Sequence, residues 1–121
     1  MKTNLITEYK QLGAICAKTE YGDELSVRTH NQSVNRMHEI VDSIAAQQDA
    51  EKLEQFVELL AISEHKVNLW AAIHTLERLS VDFETQANAL QIIHEAAQDY
   101  GPEALGYQSW LDNWYEHNGT S

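Results

Sequence analysis

Val67-Asn68-Leu69-Trp70-Ala71-Ala72-Ile73-His74-Thr75-Leu76 is apolar on two opposite sides at once. At helical spacing Val67, Trp70, Ala71 and His74 make one stripe, while Leu69, Ala72, Ile73 and Leu76 make another. A helix that is apolar nearly all round is buried on both faces. The stretch predicts a helix over 64–78 that is the central element of the fold, sandwiched between neighbours.

The same period continues toward both termini. On the N-terminal side, Leu5, Tyr9, Leu12 and Cys16 mark a first helix, broken at Glu20-Tyr21-Gly22-Asp23. Ser26 can cap a long second helix with Val27, Val34, Met37, Val41, Ile44 and Ala45 on one face, running to about residue 48. Asp49 reads as the N-cap of a short third helix that buries Leu53, Phe56, Val57 and Leu60. Its outer stripe, Glu51, Glu54 and Glu58, reads as a solvated face.

On the C-terminal side, a fifth helix over 83–100 should bury Phe83, Ala87, Leu90, Ile93, Ala97 and Tyr100. Glu84, Asn88, Gln91, Glu95 and Asp99 line its outer face. Gly101-Pro102 should end that helix and start a sixth, Gly at C′ and Pro in the first turn. The sixth packs Ala104, Tyr107, Leu111 and Trp114, with Trp110 beside the stripe and Asp112 and Glu116 pointing outward. From Asn118 the polar tail should fray. The expected architecture is all-α: about six helices in one domain, joined by short antiparallel connections. Residues 1–25 hold the first helix and break, 26–117 the core, and 118–121 the tail.

Composition fits one modest core. Of 121 residues 43% are apolar, which excludes a disordered acidic tail. One proline and five glycines leave little for a turn-rich all-β fold. No apolar run has the length of a signal peptide or a membrane span, so a soluble cytoplasmic protein is expected. The Asn31-Gln32-Ser33 and Asn118-Gly119-Thr120 patterns carry no glycosylation without secretion.

Charge is the strongest functional signal. The net charge is −11, and residues 79–121 contain no Lys or Arg. They do contain Asp82, Glu84, Glu95, Asp99, Glu103, Asp112 and Glu116, with Trp110, Trp114, Tyr100, Tyr107 and Tyr115 among them. A one-sided field speeds encounter with a basic partner, and aromatic side chains anchor the docked complex. Nucleic acid and anionic membranes are disfavoured, because phosphate contacts need clustered Lys and Arg.

The decapeptide from Val67 to Leu76 resembles the second helix of a HEAT-like repeat: a Val near the start, an Ala-Ala pair, then a Leu. Asn68 stands where that pattern usually has Arg. A following helical pair ends in Trp110-Leu111-Asp112-Asn113-Trp114, and a long helix containing Val34-Asn35-Arg36-Met37 precedes both. Over residues 26–115 the chain is similar to a family of small HEAT-like helical proteins of unknown function, some of them immunity partners in bacterial contact-dependent toxin systems. The resemblance implies a HEAT-like antiparallel array and a protein-binding role. It supplies no catalytic residues.

Enzymatic rivals find little support. Six histidines invite a metal, yet there is no His-Glu-x-x-His and no Glu-x-x-His pair. His38 with Asp42, and His74 with Arg78, are spaced to meet on one helix, and neither pair is a site alone. His74 falls on a buried stripe and reads as a hydrogen-bonded core residue. Cys16, the single cysteine, has no disulfide partner in the chain, supplies no cysteine metal cluster and lies on an apolar stripe. No cofactor, metal or catalytic residue is expected.

The function expected is stoichiometric inhibition: an immunity-type protein covering the phosphate-binding basic surface of a toxin domain, a nuclease above all. The candidate partner-binding face is Glu84, Glu95 and Asp99 with Trp110, Asp112 and Glu116 beside them. The stripe Glu51, Glu54, Glu58 is the second candidate face. The alternative function is a helical adaptor or self-associating module whose acidic surface serves only solubility.

Overall fold

Helix boundaries in the computed structural model follow from where short polar side chains meet free backbone donors. It describes residues 4–20, 22–99 and 101–118, with Pro102 as backbone only. Six α-helices run in order: α1 (Leu5–Ala17), α2 (Glu24–Gln47), α3 (Ala50–Val57), α4 (Val67–Arg78), α5 (Phe83–Ala97) and α6 (Pro102–Asn118). Two single 3₁₀ turns, Glu58–Ala61 and Glu64–Lys66, connect α3 to α4. No strand occurs among the described residues. The all-α expectation is met.

Asn4 accepts from the Ile6 N–H (2.8 Å), Asp49 from those of Glu51 and Lys52, and Asp82 from that of Thr85 (2.8 Å). Each satisfies a donor that the first turn of a helix leaves without an internal partner. The expected Ser26 cap is wrong. Asp23 caps α2 through the Leu25 N–H (3.0 Å), and Ser26 Oγ instead accepts from the Glu20 N–H at 2.8 Å, closing the preceding turn.

The helix expected over 64–78 begins only at Val67. His65 and Lys66 have φ of 54° and 58°, left-handed values that end the 3₁₀ turn before α4 starts. Lys66 gives α4 no side-chain cap. The fifth helix stops at Ala97, short of the predicted residue 100, so Gly101 is not its C′ residue. Gly101 does have φ 108°, open only to glycine, and it turns the chain into α6, which begins on Pro102 as predicted. Tyr100 of the predicted core, Tyr21 of the predicted break and the tail at 119–121 lie outside the described residues.

The apolar stripes converge on one core. Tyr9 and Phe56 meet edge to face, 5.0 Å between centroids, beside Met37, Ile40, Ala71 and Ile93, all shut off from water. Helix α1 packs on α2 and α4, α4 on α5, and α5 on α6. Within α4 every residue except Glu77 is buried or half-buried. Two ion pairs tie the periphery: Arg36 forks onto both oxygens of Glu8 (2.7 and 3.0 Å), and Arg78 Nη1 meets both oxygens of Asp42 (2.8 Å each). The Arg36 hydrogen bond holds the Glu8 carboxyl below its ordinary value. Gly13 allows the closest approach of α1 to α4, since a Cβ there would lie 3.1 Å from Val67 Cγ2.

Three predicted core positions are exposed: Ala45, Ala87 and Phe83, the last 83% accessible. The buried line of α5 is Ala89, Ile93 and Ala97. Gln108 on α6 donates to the Ala97 carbonyl, and Tyr115 meets His94, which fixes α5 and α6 as an antiparallel hairpin. In that register Phe83 lies past Asn118, the last described residue of α6, and stays on solvent. Among the described residues no helix is long and apolar enough to cross a membrane.

Candidate functional site

The α5–α6 hairpin sets the carboxylates of the C-terminal third on solvent. Glu84, Glu95 and Asp99 are exposed on α5 and just past its end, and Asp112 and Glu116 are exposed on α6. Their exposure follows from phase. The buried lines Ala89–Ile93–Ala97 and Ala104–Leu111 face inward; Glu84 and Glu95 fall on the opposite side of α5, and Asp112 and Glu116 on the flank of α6. Among the described residues no Lys or Arg pairs with Glu84, Glu95, Asp112 or Glu116; Glu95 Oε1 accepts from Gln91 Nε2 at 3.2 Å.

The other two acids of this third have local duties. Asp82 caps α5, and its bonds to Thr85, side chain first, hold its carboxyl below the ordinary value. Glu103 Oε2 lies 2.7 Å from Lys66 Nζ, joining the start of α6 to the start of α4. That hydrogen bond holds the Lys66 ammonium above its ordinary value. Glu95, Asp99 and Glu103 also border a cavity of about 300 Å³ that Tyr107 and Lys66 close.

Trp110 does not join this acidic side. Its indole N–H donates to Glu77 Oε2 on α4 (2.9 Å), and its ring packs against the core. Two residues along α6 correspond to a rotation of about 200°, so Asp112 projects from nearly the opposite side. Tyr107 and Trp114 are half-buried. Large apolar side chains absent from the candidate set are exposed on the hairpin instead: Phe83, Leu105 at 65% and, less so, Tyr115. The signal for Leu105 was its phase, outside the Ala104, Tyr107, Leu111 stripe. Phe83 gave none, since it matched the wrong of two possible stripes.

On the third helix, Glu51, Glu54 and Glu58 are exposed. Lys52 beside them donates to Gln47 Oε1 (2.7 Å).

Two groups suited to other chemistry, His74 and Cys16, are enclosed. His74 is 1% exposed, with Nδ1 2.6 Å from the Tyr9 hydroxyl and its ring edge-on to His38 at 4.9 Å. Burial first, then His38 and Arg78, push His74 down to about 3, so it is neutral. Burial also raises the Cys16 thiol. No group of three or more His, Cys, Asp or Glu placed to hold a metal ion occurs among the described residues. The arrangement can present negative charge and a few apolar side chains to a macromolecule. No known protein family, curated protein or solved structure matches the chain.

Proposed function

We propose that this chain is a stoichiometric protein inhibitor of the immunity type, which binds and neutralises a basic toxin domain, a nuclease above all, in the cytoplasm. One observation carries the reading: Glu84, Glu95, Asp99, Asp112 and Glu116 all stand exposed on one helical hairpin whose sequence contains no Lys or Arg. A nuclease lines its active site with cations to hold phosphate, and such a carboxylate surface substitutes for the substrate. The helices form a HEAT-like antiparallel array around α4, a rigid mount that loses little conformational freedom on binding. Phe83 and Leu105, rather than Trp110, supply the apolar anchors at the two ends of the acidic surface.

The test is co-purification with the C-terminal domain encoded immediately upstream, then titration at low and high salt. Tight equimolar binding that weakens with salt and abolishes a nuclease activity is the expected result. Binding unmoved by salt and by Glu95→Lys or Asp99→Lys would sink it. The exposure of Phe83, Leu105 and Leu25 favours a second reading, a self-associating or adaptor module. That reading requires a concentration-dependent oligomer in sedimentation that Phe83→Ser dissolves.

A further inference from the structure

Two cavities of the molecule share a wall. The larger, about 570 Å³, has an apolar floor of Cys16, Leu69, Trp70 and Ile73. The smaller, about 300 Å³, is bordered by Glu95, Asp99 and Glu103. Lys66, Leu69, Glu103 and Tyr107 line both. The wall at its outer edge is the Lys66–Glu103 ion pair, whose side chains are 59% and 70% exposed. Exposed pairs of this kind separate readily, because water and salt take over either partner. Opening this one joins the cavities into a groove, apolar and aromatic at one end and acidic at the other.

The chain itself shows what the acidic end accepts. Among the described residues Lys66 is the one Lys or Arg lining either cavity, and its ammonium is already seated on a carboxylate beside Tyr107. Its backbone is left-handed, as is that of His65 before it, and neither residue is glycine or asparagine. Two such residues in succession are strained, and strain of this kind persists where the surrounding structure holds it in place. Here the backbone bonds of Lys66 N–H to the Ser63 carbonyl (3.1 Å) and Asn68 N–H to the Ile62 carbonyl (2.8 Å) hold it. Around that ammonium the combined lining places Glu95, Asp99 and Glu103, so the acidic end of the groove is complementary to positive charge.

We infer that the two cavities form one docking groove for a loop of a basic protein, with Lys66 as a built-in placeholder. The loop seats an apolar side chain against Leu69 and Trp70. An adjacent arginine or lysine takes Glu95, Asp99 and Glu103, and Lys66 swings out to solvent. An arginine fits best, since its fork can bridge two carboxylates while its plane stacks on Tyr107. This deepens the inhibitor reading and rests on it. It adds to the outer face of the hairpin a second contact, at the edge where α5 and α6 meet the start of α4.

The probe is the capped dipeptide acetyl-Leu-Arg-amide, titrated into the ¹⁵N-labelled protein and followed by amide and indole chemical shifts. Saturable millimolar binding is expected, with the largest shifts at Lys66, Leu69, Tyr107 and the Trp70 indole. Lys66→Gln should tighten it several-fold by emptying the seat, and Glu103→Gln should weaken it several-fold. Lys52→Gln makes the same change in net charge on α3 and should leave affinity unchanged. Circular dichroism checks that all three variants keep the fold. Shifts centred on Glu84 and Glu116, equal gains from the two lysine variants, or no saturable shift would each overturn the groove. The two ideas fail separately: groove binding with no partner inhibited sinks the inhibitor reading alone. Salt-sensitive inhibition with no shift in the groove sinks the groove alone.

Discussion

The Tyr9 hydroxyl lies 2.6 Å from His74 Nδ1, and neither side chain reaches solvent. Burial raises the Tyr9 hydroxyl above its ordinary value and holds His74 neutral, so the bond joins two uncharged groups. This contact joins α1 to α4 in an otherwise apolar region, and losing one partner strands the other. Tyr9→Phe should cost about 1–3 kcal/mol in urea unfolding. Tyr9→Phe with His74→Leu should cost less than the sum of the single changes; additivity would mean that the bond contributes nothing.

Acid should act on the same pair. The ordinary histidine value is 6.5, and the folded value of His74 is about 3. Between them the unfolded chain binds a proton that the folded chain refuses, so stability is full above 6.5 and falls as pH drops toward 3. The slope contributed is at most about 1.4 kcal/mol per pH unit. His38, lowered by burial and Arg78, acts in the same direction. Unfolding midpoints at several pH values between 5 and 6.5 should fall faster for the native chain than for Tyr9→Phe/His74→Leu. Equal slopes would remove His74 as the cause.

Gly13 and Val67 test the α1–α4 approach. In an open helix Gly→Ala gains roughly 0.5–1 kcal/mol, but here the new methyl group would meet Val67 Cγ2 at 3.1 Å. Val67 is 2% exposed and has nowhere to retreat. Gly13→Ala should lower the melting temperature, and adding Val67→Ala should recover part of that loss. A stabilised Gly13→Ala would show that the two helices slide apart freely.

The two phenylalanines should behave oppositely. Phe56 has no exposed surface, so Phe56→Ala should cost about 3–5 kcal/mol. Phe83 is 83% exposed, and Phe83→Ala should change stability by no more than about 0.5 kcal/mol. If Phe83 is an anchor, the same variant should speed dissociation of a bound basic partner. Thermal melts and dissociation kinetics measure the two effects on one protein.

What could be read from the chain alone depended on how local its causes were. Asp49 was legible as a cap because it stands alone between two apolar patterns. Asp23 was not, since Ser26 three residues later is an equally good capping type and only the Glu20 N–H decides between them. Helix α5 carries Ala87, Ala89, Ala96 and Ala97, small residues that fit two phases, and Phe83 drew the reading to the wrong one. The outer line Glu84, Glu95, Asp99 survived that error because charged residues mark an exposed side whichever alanines face inward. Trp110 could be read as lying beside the buried stripe, but its partner, Glu77, is 33 residues away and could not be read locally. Nothing marked the left-handed pair His65-Lys66, which has neither glycine nor proline nearby.

Helix α1 packs on both α2 and α4, and this sets an order of events on the ribosome. Its contacts with α2, including Glu8 to Arg36, close a short stretch of chain and can form as soon as α2 emerges. Its contacts with α4 need residues made seconds later, at roughly 5–20 residues per second. Through that interval Tyr9 lacks the His74 partner it has in the folded chain. The α5–α6 hairpin, made after α4 and closed by local contacts, is under no such delay. The acidic surface is thus synthesised only after the scaffold beneath it has been made.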